Sequence, residues 1–253
     1  MRVRADSITF AYGKKPVLRD VSFEAGAGEV VGVLGPNGSG KTTLLRCLSG
    51  ELVPQAGEVS LDERPAASFA PRERARRVAV VPQDTPADLA FLAVEVVLFG
   101  RYPHLGFWDE ESKRDLEVAR AAMEESESWH LRERRFNELS GGERQRVVIA
   151  KALAQEPGIL LLDEPALHLD LSHQLALYQL VRQLAAQRGL CVVMVCHDLF
   201  LAPAYLTRAV LLHQGRSVAD GPPDAVLIRS TVAQVFGVEH LPRVGEALPG
   251  LWC

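Results

Sequence analysis

No stretch of this sequence stays apolar long enough to cross a bilayer: the runs, of which Gly189 to Cys196 is typical, stop far short of the roughly 18 residues a spanning helix needs. The chain itself is therefore expected outside the membrane. Cysteine is scarce, and the four present, Cys47, Cys191, Cys196 and Cys253, form no CxxC pair and no zinc spacing. Cys191 and Cys196 fall in or beside a buried-looking strand, and all four read as reduced thiols of a cytoplasmic protein. The opening MRVRADSITFAYG lacks the continuous apolar core of a secretory signal, so export is not expected. Basic charge is not in excess either. A net charge of −4 disfavours a chain-wide attraction to nucleic acid and leaves open only a local basic patch. There is no internal repeat and no low-complexity tract, and 253 residues suffice for one large domain or one domain with an inserted lobe.

What is present is an alternation of short apolar runs with helical periodicity, the pattern of an α/β domain. Strands are expected at Val3 to Phe10, Val17 to Glu24, Val30 to Leu34, Glu58 to Leu61, Val78 to Val81, Ile159 to Leu162, Leu190 to Cys196 and Ala209 to Leu212. The clearest helices are Lys41 to Ser49 stopped by Gly50, Glu143 to Ala154 stopped near Pro157, and Ser172 to Arg188 stopped by Gly189. From Gln83 to Leu139 the texture turns helix-rich and charged, with an amphipathic helix expected at Asp109 to Glu127. That stretch reads as an inserted helical lobe. The Pro- and Gly-bearing tail from Leu241 to Cys253 is expected to be mobile.

The most informative segment is GPNGSGKTT, Gly35, Pro36, Asn37, Gly38, Ser39, Gly40, Lys41, Thr42 and Thr43, which follows an apolar run and opens a helix. Glycines there let the backbone turn tightly and aim successive N–H groups at a β-phosphate beside the positive end of the helix. Lys41 would reach the β- and γ-phosphates, and the Thr42 hydroxyl would ligate Mg²⁺. A second cluster lies where the run Ile159 to Leu162 ends in Asp163 and Glu164, two carboxylates at the C-terminal edge of a parallel sheet. Asp163 would hold Mg²⁺, and Glu164 would polarise an attacking water.

With LSGGE, Leu139 to Glu143, followed by Arg144 and Gln145, almost the whole chain resembles the nucleotide-binding subunit of an ABC transporter. The resemblance implies a P-loop NTPase core of ABC type with an N-terminal antiparallel β subdomain and an inserted α-helical subdomain. Residues 1–83 and 139–237 would form the RecA-like core with its β subdomain, 84–138 the helical lobe, and 238–253 a tail. It implies two copies that sandwich two Mg-ATP head to tail, with Ser140, Gly141, Gly142 and Glu143 capping the nucleotide of the opposing copy. Physically, a hydroxyl, two glycines and a helix N-terminus suit a γ-phosphate.

By the same resemblance Tyr12 would stack on adenine, Gln83 would touch Mg²⁺ or water and join core to lobe, and His197 would contact the γ-phosphate beside the attacking water. Asp170 would cross the dimer interface. The chain departs from the family's usual DEPTSALD or DEPTSHLD: it has DEPALHLD, so Ala166 and Leu167 replace hydroxyl residues and put the loop's contacts in doubt. His168 and His173, five apart, do not make a zinc pair.

The strings GRYPHLGFW, LHLDLSHQ and GRSVADGPPDAVL resemble the importer branch that handles iron-siderophores, haem and cobalamin. The implied partners are two membrane-spanning permease subunits at the cytoplasmic face of the membrane, an external substrate-binding protein acting indirectly, and no nucleic acid. Arg101, Tyr102 and Trp108 are expected to anchor the permeases. Two other readings remain open at this point, a soluble ABC-type ATPase acting mechanically in repair or translation, and an exporter ATPase.

Overall fold

The computed structural model describes residues 1–84, 89–106 and 109–237. Two long strands, β1 (Val3–Tyr12) and β2 (Lys15–Ala25), pair antiparallel through a turn at Gly13. The chain then enters β3 (Val30–Leu34) and α1 (Lys41–Leu48) before returning to pair β4 (Ala56–Leu61) with β1 and the short β5 (Arg64–Pro65) with β4. This antiparallel sheet has the order β2-β1-β4-β5. A short helix, α2 (Pro71–Ala75), leads into β6 (Val78–Val81). Then come α3 (Ala93–Leu98), α4 (Lys113–Glu125) and α5 (Gly141–Ala154), of which α3 and α4 pack on α5.

Next are β7 (Ile159–Asp163), the long α6 (Leu171–Arg188), β8 (Cys191–Val195), the hairpin β9 (Arg208–His213) and β10 (Arg216–Gly221), and two helices, α7 (Pro223–Val226) and α8 (Arg229–Phe236). The second sheet has the order β10-β9-β3-β8-β7-β6, parallel except at β10.

Strands β3, β7 and β8 are buried along their whole length, which is why they read as continuous apolar runs. Their side chains still alternate. Leu160 and Leu162 join Val192 and Met194 in a core shared with α5 and α6, whereas Ile159, Leu161, Val193 and Val195 face α1 and the antiparallel sheet. Because β3, β6, β7 and β8 run in the same direction, with Val33 and Asp163 both level with Val195, and Val81 beside Leu162, the residues that follow them emerge at one edge.

The strands expected from the sequence are all present, and two more were not anticipated. The two-residue β5 gives no periodic signal, and β10, RSVADG, alternates weakly because its outer face is polar. The turn at Gln214 and Gly215 between β9 and β10 is the hairpin cue that would have exposed it. The helix expected at Asp109 to Glu127 is trimmed at both ends. Ser112 caps it, accepting from the Asp115 N–H, and Glu127 adopts a left-handed φ of 55° just beyond the end.

Arg101 corrects an expectation. It does not project as a docking side chain but is 3% exposed, donating to Asp115 Oδ1 at 2.9 Å, to the Ala154 carbonyl at 2.6 Å and to Glu156 Oε2 at 2.7 Å. A guanidinium with five fixed donors can satisfy three partners at once, and here it ties the start of α4 to the end of α5. The Ser112 hydroxyl, with Arg101 behind it, holds the Asp115 carboxyl down at about 2. Trp108 and the tail from Leu241 lie outside the described residues.

Candidate functional site

The loop after β3 is shaped by three glycines with positive φ: Gly35 at 145°, Gly38 at 77° and Gly40 at 106°. A Cβ on Gly35 would fall 2.1 Å from the Leu212 carbonyl oxygen, and at Gly40 the φ of 106° would strain any other residue. Helix α1 starts at Lys41 with no side-chain cap, which leaves the N–H groups of its first turn for an external anion. Lys41 is buried and donates to the carbonyls of Gly35 at 2.8 Å and Pro36 at 3.1 Å, its ammonium folded over the loop. Burial pushes that ammonium below its ordinary pKa, against the pull of Glu164 and Asp163. Ser39 Oγ is buried without a hydrogen-bond partner, so the loop holds an unused polar atom.

Strand β7 delivers the carboxylates. Asp163 ends the strand and accepts from Thr42 Oγ1 at 3.2 Å; burial raises its pKa, with the Thr42 hydroxyl opposing. Glu164 follows with a φ of 50°, a left-handed conformation that costs on the order of 1–3 kcal/mol in a non-glycine residue and turns the side chain back over the sheet edge. One of its oxygens accepts from Gln83 Nε2 at 3.0 Å, and the other pairs with His197 Nε2. Gln83 and His197 come from the ends of β6 and β8, so three strands converge on one carboxylate.

In front of this cluster opens a cavity of about 880 Å³, within the range of small-molecule sites. Asn37, Gly38, Gly40, Lys41, Thr42 and Thr43 form its floor, Gln83, Glu164 and His197 one wall, and Tyr12 the far rim. Tyr12 is 46% exposed and held edge-on by Phe10 at 5.0 Å. Sequence reasoning missed Lys15, Arg19, Gln214 and Gly215, which also line the cavity. Gly215 braces the loop from behind, since its N–H donates to the Ser39 carbonyl at 3.1 Å and its own carbonyl accepts from Arg19 N–H at 2.7 Å.

The remaining expected residues are elsewhere. Ser140 is the N-cap of α5: its Oγ accepts from Glu143 N–H at 3.4 Å, its N–H donates to Glu143 Oε2 at 2.8 Å, and Arg134 pairs with the same carboxylate at 3.0 Å. Glu143 is thus occupied in building the helix start, and the Ser140 N–H holds its pKa down. Asp170 caps α6, accepting at one oxygen from His173 N–H, the Ser172 hydroxyl and the His173 ring. Ser140, Gly141, Gly142, Glu143 and Asp170 take no part in the lining of the phosphate-loop cavity of their own chain. At the Ala166-Leu167 departure the turn is held without hydroxyls, by Leu167 N–H on the Glu164 carbonyl and by Gln174 Nε2 on the Leu169 carbonyl at 3.0 Å.

The sequence profile of the family described as ABC transporter matches residues 18–167, more than half of the chain. The chain belongs to the ABC transporter family. Over 244 residues it is 43% identical to the hemin import ATP-binding protein HmuV of Pseudomonas putida, a match covering 94% of each chain. Its fold superposes with a TM-score of 0.83 on a structure described as an inward-facing metal-chelate type ABC transporter, at 28% identity over 93% of this chain and 88% of that one. A bacterial ABC transporter cassette solved as a dimer gives 0.76, at 27% identity over 87% of this chain and 98% of its own. Membership makes this chain a nucleotide-binding ATPase, and its fold is the ABC type, with the antiparallel sheet, the larger mixed sheet and the packed helices α3 to α5. Among the described residues no helix is long and apolar enough to cross a membrane.

Proposed function

We propose that this ATPase binds Mg-ATP as a head-to-tail homodimer and drives haem import through two separate membrane-spanning permease subunits at the cytoplasmic face of the membrane. The observation that carries the catalytic part is the convergence of Gln83 and His197 on Glu164, beside Asp163 and Thr42, at the mouth of an uncapped, glycine-built helix start. The cargo and its direction rest on the relatives: proteins named for hemin import match over nearly the full chain, and the metal-chelate transporter shares the fold. Those names favour haem over the siderophores and cobalamin of the same branch, and import over export or a soluble mechanical role.

Within the site, the Gly35 to Thr43 loop and Lys41 hold the β- and γ-phosphates, and Tyr12 stacks on the base. Thr42 Oγ1 and Asp163 Oδ1, 3.2 Å apart, form a hard-oxygen pair that fits Mg²⁺, with Gln83 close by. Bound there, the ion would neutralise charge on the phosphate oxygens. Glu164 accepts a proton from the attacking water, and the Gln83 and His197 bonds fix the direction in which it accepts. His197, which lines the same cavity, would contact the γ-phosphate beside the attacking water once nucleotide is bound. The core with its β subdomain takes residues 1–83 and 139–237, and the helical lobe 84–138 receives the permeases.

The sandwich requires the signature of the opposing copy, since Ser140 to Glu143 stay out of the chain's own cavity. Light scattering tests this. Glu164→Gln keeps the shape and removes the base, so it should be a dimer with ATP and a monomer without nucleotide or with ADP. Adding Ser140→Arg should abolish the dimer. That change also removes the α5 cap, at a cost of about 1 kcal/mol, so unchanged ATP binding by the monomer is the control. A double variant that still dimerises on ATP would refute the trans role of the signature. For the cargo, co-purification should recover polytopic permeases, and haem with its binding protein should stimulate hydrolysis in vesicles where a ferric siderophore or cobalamin does not.

A further inference from the structure

The two signature glycines meet different surroundings. Gly141 is exposed, and a Cβ built on it meets nothing closer than Leu169 Cδ2 at 3.9 Å. Gly142 is buried within the monomer, and a Cβ there would lie 2.3 Å from Cδ2 and 2.8 Å from both Cγ and Nε2 of His173. The imidazole therefore lies against the backbone of the first turn of α5. Consecutive helical residues point roughly 100° apart, so one glycine can present its open side outward while the next presents it to α6.

The His173 ring is anchored at one nitrogen, with 41% of the side chain open to solvent. Its Nδ1 is 2.7 Å from Asp170 Oδ1, the oxygen that also accepts from the His173 N–H at 2.9 Å and the Ser172 hydroxyl at 2.8 Å. In the neutral ring this bond places the proton on Nδ1 and leaves Nε2 toward α5. The space left inward between Gly142, Gln145, Leu169, His173 and Leu177 is about 20 Å³, enough for one water, so a ring displaced from Gly142 has to leave its bond to Asp170 and move toward solvent.

We propose that His173 is a positioning residue: its ring, held by Asp170 and laid against Gly142, locks the signature loop and the loop before α6 into one unit that is presented to the nucleotide of a second copy. Position 142 is glycine to admit that ring. This rests on the sandwich reading above, in which both loops act on the opposing subunit. A displaced ring would leave each loop intact and misalign the two, so the closed dimer is affected while the chain's own phosphate loop is not.

A double-mutant cycle in the Glu164→Gln chain tests it, read as the protein concentration at which ATP gives half-maximal dimer. Gly142→Ala should raise that concentration at least tenfold, and ATP affinity of the monomer should stay within about twofold. Adding His173→Asn, which keeps a donor for Asp170 and removes the ring, should recover dimerisation to within about threefold of His173→Asn alone. His173→Ala alone, which loses both the ring and the bond to Asp170, should weaken closure more than His173→Asn. If Gly142→Ala is harmless, or equally damaging with and without the ring, position 142 is glycine for another reason and the proposal is overturned. If the Glu164→Gln chain does not dimerise on ATP at all, the sandwich reading fails first and the proposal falls with it.

Discussion

The phosphate loop and the signature loop are both glycine-bearing helix starts, and they are built in opposite ways. Helix α1 has Gly40 as its N-cap and no side chain over its N–H groups; α5 has Ser140 as its N-cap, with a reciprocal capping box in which Ser140 and Glu143 use up each other's donors. An uncapped start is suited to an anion, and here it lines a large cavity. A capped start is rigid and self-sufficient. What it offers outward is Gly141 and Ser140, both exposed and neither lining the cavity of its own chain. On the sandwich reading proposed above, the difference teaches that nucleotide binding would be encoded within one chain, the cis half, and closure over the nucleotide as a surface for another, the trans half.

The largest effect should come from breaking the cis half. Glu164→Gln should lower hydrolysis by roughly 10² to 10⁴ while ATP affinity stays within a few-fold, because the base is lost and the phosphate cradle is not. The measurement is single-turnover hydrolysis beside equilibrium binding. Loss of binding along with turnover would mean that Glu164, with its left-handed backbone, is holding the loop together.

The trans half should break from a distance. Arg101 ties the C-terminal end of α5 to α4, and removing it leaves Asp115 buried without its cation. Arg101→Ala should cost about 3–5 kcal/mol in chemical denaturation, since one member of a buried pair is left uncompensated. The pH dependence has a definite sign. With the Asp115 carboxyl at about 2 in the fold against an ordinary 3.8, its contribution is fully present above that ordinary value and is lost as pH falls toward 2. Asp115→Asn should therefore flatten the acid limb of the stability curve, and a limb of unchanged steepness would show that other carboxylates set it.

Legibility in the sequence follows the same division. The cis half was readable because each strand that delivers a group is a short apolar run, fully buried in β7 and β8 and buried except at Val80 in β6, and each group sits at its end: Gln83 after VAVVP, Asp163 and Glu164 after ILLL, His197 after CVVMVC. Arg101 was misread because a single arginine among aromatics looks the same whether it docks a partner or ties two helices; only Asp115 and Glu156, 14 and 55 positions away, decide it. Gly215 was missed for a related reason. Its contact with Ser39 joins residues far apart in the chain, and no local pattern reports such a pairing.

A smaller effect should separate base from phosphate recognition. Tyr12 stands at the exposed rim, held edge-on by Phe10, so its free face is available to a purine. Tyr12→Ala should weaken ATP binding by about tenfold, roughly 1.4 kcal/mol, and GTP should support turnover within about tenfold of ATP because stacking is indifferent to the purine's substituents. Unchanged affinity in Tyr12→Ala, or a preference for ATP beyond a hundredfold, would move base recognition to other residues of the cavity, with Lys15 and Arg19 nearest at hand.

The smallest effect concerns the outer face near α3. Tyr102 is 54% exposed, its ring 5.4 Å from Phe99, which in turn meets the half-exposed Phe91 at 5.1 Å. A row of aromatics that is open at both ends while Arg101 beneath it is locked has the makings of a docking surface: rigid below, apolar above. If it receives the permeases, Tyr102→Ala should reduce transport in vesicles roughly fivefold, the size of an ordinary interface contact, and leave basal hydrolysis of the isolated chain within about twofold. The alternative is that the ring merely covers Phe99. Transport and basal hydrolysis would then fall together with thermal stability, and the aromatic row would belong to the packing of the helices and not to the surface they present.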